Sequence, residues 1–221
     1  MKNSSKIIGL ILIIILTSSR KSNSQPDNFD YGHVENGIYQ NDYFDFNIKL
    51  PVNWVVQSKE QTENIANTGK KLVAGDDENM KAAIKASEIN TANLLAVFQF
   101  ELGSAVEYNP NIMIVAESVK YAPGIKNGSD YLFQARRMIE QGQFKYDYLS
   151  EKFENEKINE IEFYKMDAKL NYMGLNIKQV YYSTVLKGFS LNVIISYISD
   201  EQKETLLNSI NSMKFKKSKS I

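Results

Sequence analysis

Cysteine is absent from the 221 residues, and histidine occurs once, as His33. Without cysteine there is no disulfide framework, so stability has to come from a buried core. One histidine and no cysteine also remove the ligands of structural zinc and of the common catalytic zinc arrangements. A Ser-His-Asp or Cys-His site needs a base held rigidly beside its nucleophile, and His33 falls in a stretch that reads as a linker. A surplus of one charge is missing too: 26 Lys and Arg balance 26 Asp and Glu. A nucleic-acid binder carries a basic excess that neutralises phosphates, so no nucleic-acid partner is expected. The expected catalytic, cofactor-binding and metal-binding residues are accordingly none.

Long apolar runs are lacking with one exception, at the start. Lys2 and Lys6 are followed by residues 7–16, all Ile or Leu except Gly9. That is half of the roughly 20 residues needed to span a bilayer, and it is not amphipathic, so it reads as a signal-peptide core of bacterial type. Leu16-Thr17-Ser18-Ser19 has the form of a lipoprotein signal with Ser19 in the cysteine's place. A serine cannot take the thioether-linked lipid, which leaves a degenerate lipoprotein or release by cuts before Arg20 or Gln25. The expected organisation is a signal peptide at 1–24, a polar linker at 25–36, one domain at 37–215 and a basic tail at 216–221. The expected location is extracytoplasmic: periplasm, outer surface or secreted, with no membrane span once the signal is removed.

What is present is the material of one globular domain, 43% hydrophobic and 24% charged. Residues 44–50 alternate apolar and polar, a strand with one buried face closed by Pro51. Ser58 with Gln61 forms a capping box opening a helix toward Ala74. Asp76, Asp77 and Glu78 precede a second short helix as dipole complements rather than a calcium loop or an acid pair. Residues 94–102 and 112–119 read as strands, and Ser129 as the cap of a helix over 130–141. Segments 148–153, 161–173, 175–186 and 189–198 form a meander with short turns at Gly174 and Lys187-Gly188. Asp200 is expected to cap a last helix whose stripe is Leu206, Leu207, Ile210 and Met213. The fold class is therefore α+β, an antiparallel sheet flanked by helices.

Three further motifs are read as structural. Asn67-Thr68-Gly69-Lys70-Lys71 looks briefly like a phosphate loop, but Asn64 stands where the first glycine belongs and Lys71 replaces Ser or Thr. It reads as a helix end with Gly69 near the C-cap. Asn127-Gly128-Ser129 matches a glycosylation sequon and reads as a turn and cap. The 13 tyrosines and 11 phenylalanines belong mostly to the core and to cross-strand pairs.

Gly37-Ile38-Tyr39, then Phe44, Phe46 and Ile48, then Leu50-Pro51-Val52-Asn53-Trp54, resemble the opening of the PsbP-like superfamily. The group includes the photosystem II extrinsic protein, a Ran-binding nuclear import factor and the envelope protein DcrB. Residues 188–193 and 207–215, with Ser212-Met213-Lys214-Phe215, are similar to its closing strand and helix. The resemblance covers residues 37–215 in outline. It implies an α/β/α sandwich that docks other proteins, and it brings no catalytic or metal-binding residue. Trp54 reads as a core anchor at the strand-to-helix corner. The expected function is a non-enzymatic exported protein docking an envelope protein partner. The alternatives are a small-ligand carrier with a pocket between sheet and helices, and a glycan hydrolase built on two carboxylates.

Overall fold

The computed structural model describes residues 25–88 and 90–216. The expected signal peptide, Ser19 included, and residues 217–221 of the expected tail lie outside the described residues. Among the described residues the strands form two antiparallel sheets, of eight and four strands, accompanied by four α-helices.

The larger sheet is the middle layer. Its path runs β4 (Val55–Val56), β5 (Thr91–Phe98), β6 (Asn111–Ser118), β11 (Phe189–Tyr197), β10 (Leu175–Leu186), β9 (Ile161–Tyr172) and β7 (Tyr148–Leu149), with β8 (Glu154–Ile158) also paired to β9. Side chains alternate between its two faces, and both faces are covered. Ala96, Phe98, Met113, Val115 and Ile194 point toward α1 (Lys59–Ala74), α2 (Glu78–Glu88) and α3 (Gly128–Gln141). Their neighbours Val97, Ile112, Ile114, Val193 and Ile195 point the other way, against α4 (Asp200–Asn211) and the smaller sheet. Hence β11 is buried along its whole length, with Ser190, Asn192 and Ser196 buried among its apolar residues.

The smaller sheet, β1 (His33–Glu35), β2 (Ile38–Asn41), β3 (Phe46–Lys49) and β12 (Lys214–Phe215), closes the second face with Tyr39, Phe46 and Ile48. The α+β expectation holds, with one correction: there are two sheets, because β3 pairs with β2 and β12 rather than joining the meander.

The linker at 25–36 is also corrected. Phe29 packs among Tyr31, Tyr43, Phe44 and Phe189 with ring centroids 4.8–5.9 Å apart. The Asp30 carboxylate accepts from the backbone N–H groups of Gly32 and Asp42. Asn36 (φ 51°) and Gly37 (φ 72°) make the two-residue turn that folds β1 onto β2. The same both-positive geometry recurs at Asn159-Glu160, Met173-Gly174 and Lys187-Gly188, so the expected short turns of the meander stand and one more, before β9, joins them.

Two caps move by one or two residues. α3 is capped by Asn127, whose side chain accepts from Asp130 N while Asp130 reaches back to Asn127 N; Ser129 lies inside the helix. α4 is capped by Ser199 with Gln202, not by Asp200. The strand expected at 148–153 shortens to β7, and β8 follows it as a separate strand. Trp54 is half-buried against the second core cluster, and its backbone N–H donates to Pro51 O.

Candidate functional site

Among the described residues, two successive helices frame a concave feature lined by charged side chains. α1 begins as expected: Ser58 Oγ accepts from Gln61 N, and Gln61 Oε1 from Ser58 N. Ile65, Ala66 and Val73 lay it on the central sheet. The helix stops at Gly75 (φ 50°), whose N–H donates to Lys71 O. Asp77 then accepts from the N–H groups of Asn79 and Met80, opening α2, which Met80 and Ile84 anchor to the same core. The result is a helical hairpin joined by the three residues Gly75, Asp76 and Asp77.

Between the two helices lies a cleft of about 510 Å³ lined by Asn67, Lys70, Lys71, Ala74, Gly75, Lys81, Ile84, Lys85 and Glu88. The helical lining positions fall at i, i+3, i+4 and i+7 on each helix: 67, 70, 71, 74 and 81, 84, 85, 88. Residues so spaced share one face. In a closed helical hairpin these two stripes would be the apolar seam. Here they carry four lysines, and only Ala74 and Ile84 supply an apolar floor.

The charges are not equivalent. The Lys70 side chain is 10% exposed, and its Nζ lies 3.0 Å from Glu88 Oε1 and 3.4 Å from Asn67 Oδ1. Lys81 is paired 2.8 Å from Glu78; that hydrogen bond, aided by the nearby Asp76 and Asp77 charges, raises its pKa. Lys71 and Lys85 are exposed and have no ion pair among the described residues. Glu88 is the single acid of the lining, so the cleft keeps an excess of positive charge concentrated on Lys71 and Lys85. Such a cavity attracts anions, and its apolar floor suits an uncharged body attached to the anionic head.

The residues singled out from sequence lie elsewhere or play other parts. His33 is exposed in β1. Asp76-Asp77-Glu78 sits at the start of α2 as expected, with Asp77 capping. The phosphate-loop look-alike at 67–71 is corrected: Gly69 is buried in the interior of α1, and the C-cap is Gly75. Lys70, Lys71, Lys81, Lys85 and Glu88 were not singled out as site residues. The signal that finds them is the helical spacing of polar residues on both halves of a hairpin, which the composition of either helix alone conceals.

A second polar group is buried on the helix side of the sheet. Glu117 is 1% exposed, faces Ser190 and Thr91 across the ladders, and accepts 2.8 Å from Tyr131 OH. Ser190 Oγ contacts Ser183 and donates to Asn192 Oδ1. Farther along, Tyr146 and Tyr181 hydroxyls both donate to Gln179 Oε1, and Tyr108 OH contacts Ser196 Oγ. Burial pushes the Tyr108, Tyr131, Tyr146 and Tyr181 hydroxyls up, and the Glu117 carboxylate adds to the rise at Tyr131. These groups hold interior strands and α3 in register.

No family model matches the chain, and no curated protein matches it. Among solved structures, a protein from Bacteroides thetaiotaomicron is similar with a TM-score of 0.40 and 9% identity. The match takes in 80% of this chain but 47% of that one, so the chain spans about half the neighbour's length. LpqN of Mycobacterium tuberculosis, described as involved in cell envelope biogenesis, is similar with a TM-score of 0.44 and 11% identity, over 76% of this chain and 82% of LpqN. These are likenesses of fold, and none is specific to the PsbP-like superfamily. No helix among the described residues is long and apolar enough to cross a membrane.

Proposed function

We propose that this chain is a non-catalytic, exported binding protein that holds a small anionic ligand in the cleft between α1 and α2. One observation carries the reading: the facing stripes of the hairpin bear lysines where a closed hairpin would bear apolar residues. Closing the helices on each other would press Lys71 toward Lys85; an anion between them relieves that repulsion. A space of about 510 Å³ is the size of a small-molecule site and too small for a helix roughly 10–12 Å across. The balance moves from protein docking toward the small-ligand alternative. The cleft has one acid, already engaged with Lys70, so it lacks the carboxylate pair a glycan hydrolase needs.

Titration calorimetry of the full chain with decanoate and decyl phosphate, against decanol as the uncharged control, tests this. Both anions are expected to bind and to weaken as salt rises, and decanol is not. Equal binding of decanol, or no binding of any probe, contradicts the reading.

Docking of a protein partner is kept as a second reading on one observation. β1 is an edge strand exposed at all three residues, and edge strands offer unpaired backbone groups to an added strand. Val34→Pro would remove capture at that edge and leave anion binding intact.

A further inference from the structure

We propose that Glu88 is a resident stand-in for the ligand's head group, and that the ligand is a carboxylate which displaces it from Lys70. This rests on the cleft reading above and narrows it to one class of anion. The argument starts at Lys70, an ammonium with a side chain only 10% exposed. A buried cation needs an anionic or strongly polar partner, and a lysine has three donors to satisfy. Glu88 and Asn67 take two of them, at 3.0 and 3.4 Å.

The partner itself is poorly placed. Glu88 is the last residue of α2, where the helix dipole disfavours a negative charge. Its side chain is 44% exposed, so water competes for it and it can swing into solvent at low cost. The Lys70–Glu88 contact is thus a strong site filled by a weakly held occupant.

A carboxylate entering from solvent meets Lys71 and Lys85 first, then exchanges with Glu88 at Lys70 with the same atoms and the same charge. Its uncharged body comes to rest on Ala74 and Ile84, both buried and both lining the cleft. No bond is made or broken; one ion pair replaces another, and Glu88 returns to water beside Lys85. The occupant this chemistry fits is a carboxylic acid with a compact alkyl or aromatic body.

The test is decanoate binding by calorimetry to the full chain and to its Glu88→Gln and Glu88→Ala variants, with thermal melts as the folding control. Removing the internal competitor is expected to tighten decanoate several-fold in both variants. Lys71→Gln with Lys85→Gln is expected to weaken it at least about fivefold. If the lysine variants weaken binding while both Glu88 variants leave it unchanged or loosen it, the stand-in is wrong and the cleft reading survives. If decanoate binds neither the wild type nor any variant, both ideas fall together.

Discussion

Gly128 stands where the first turn of α3 crosses β10, and a Cβ there would lie 1.9 Å from Ser183 O. In an unhindered helix position, Gly→Ala gains roughly 1 kcal/mol from propensity. Here the contact is with backbone that cannot rotate away, so the clash wins, and Gly128→Ala is expected to cost about 1–3 kcal/mol in urea unfolding. Tyr131, one turn along, donates to a Glu117 carboxylate that is 1% exposed. Tyr131→Phe withdraws that donor and is expected to cost about 1–3 kcal/mol. Tyrosines that burial affects respond to pH. Burial raises the hydroxyls of Tyr39, Tyr108, Tyr131, Tyr146, Tyr181 and Tyr182, and pushes that of Tyr197 up to about 12. A raised folded pKa contributes stability in full below the unfolded value of 10.0 and loses it as pH climbs through the folded one. Followed by tyrosinate absorbance, these seven hydroxyls should ionise in one abrupt step above the ordinary tyrosine range, together with loss of far-ultraviolet ellipticity. Ionisation of these seven with the ellipticity retained would contradict the burial described.

At the scale of elements, the helix ends separate what pattern alone can tell from what it cannot. Asn127→Ala is expected to cost about 1 kcal/mol, because it removes the cap that Asp130 N depends on. Ser129→Ala, two residues later and inside the helix, should stay within about half a kcal/mol; equal losses at both would refute the assignment of the cap. The start of the first helix was legible in sequence, since Ser58 and Gln61 are local partners three residues apart. Asn127 was not, because its sequon and the following serine offer two caps, and the choice is made by α3 seating Gly128 against β10. Strands with paired apolar and polar positions were legible within a few residues. The second sheet was not: β12 has two residues and pairs with β3 across more than 160 positions, a contact that no local pattern encodes. Phe29 and Asn36-Gly37 were visible but outweighed by the polar residues around them. The cleft was hidden for a related reason. Its lysines look like solvated helix surface until two helices are known to face each other along those stripes.

Taken whole, the molecule is a central sheet buried on both faces, with three helices on one side and a small sheet with α4 on the other. Both faces being covered accounts for stability without disulfides. It also confines binding to places where the outer layer parts, and α1 and α2 part where their stripes are charged. The anion binding proposed above rests on that gap. Its most direct test is an amide-resolved titration of the ¹⁵N-labelled chain with decanoate, repeated on the Lys71→Gln, Lys85→Gln double variant. Shifts confined to residues 67–88 in the wild type and absent in the variant are the predicted result. Shifts centred on β1, on the sheet edges or nowhere at all would contradict the account.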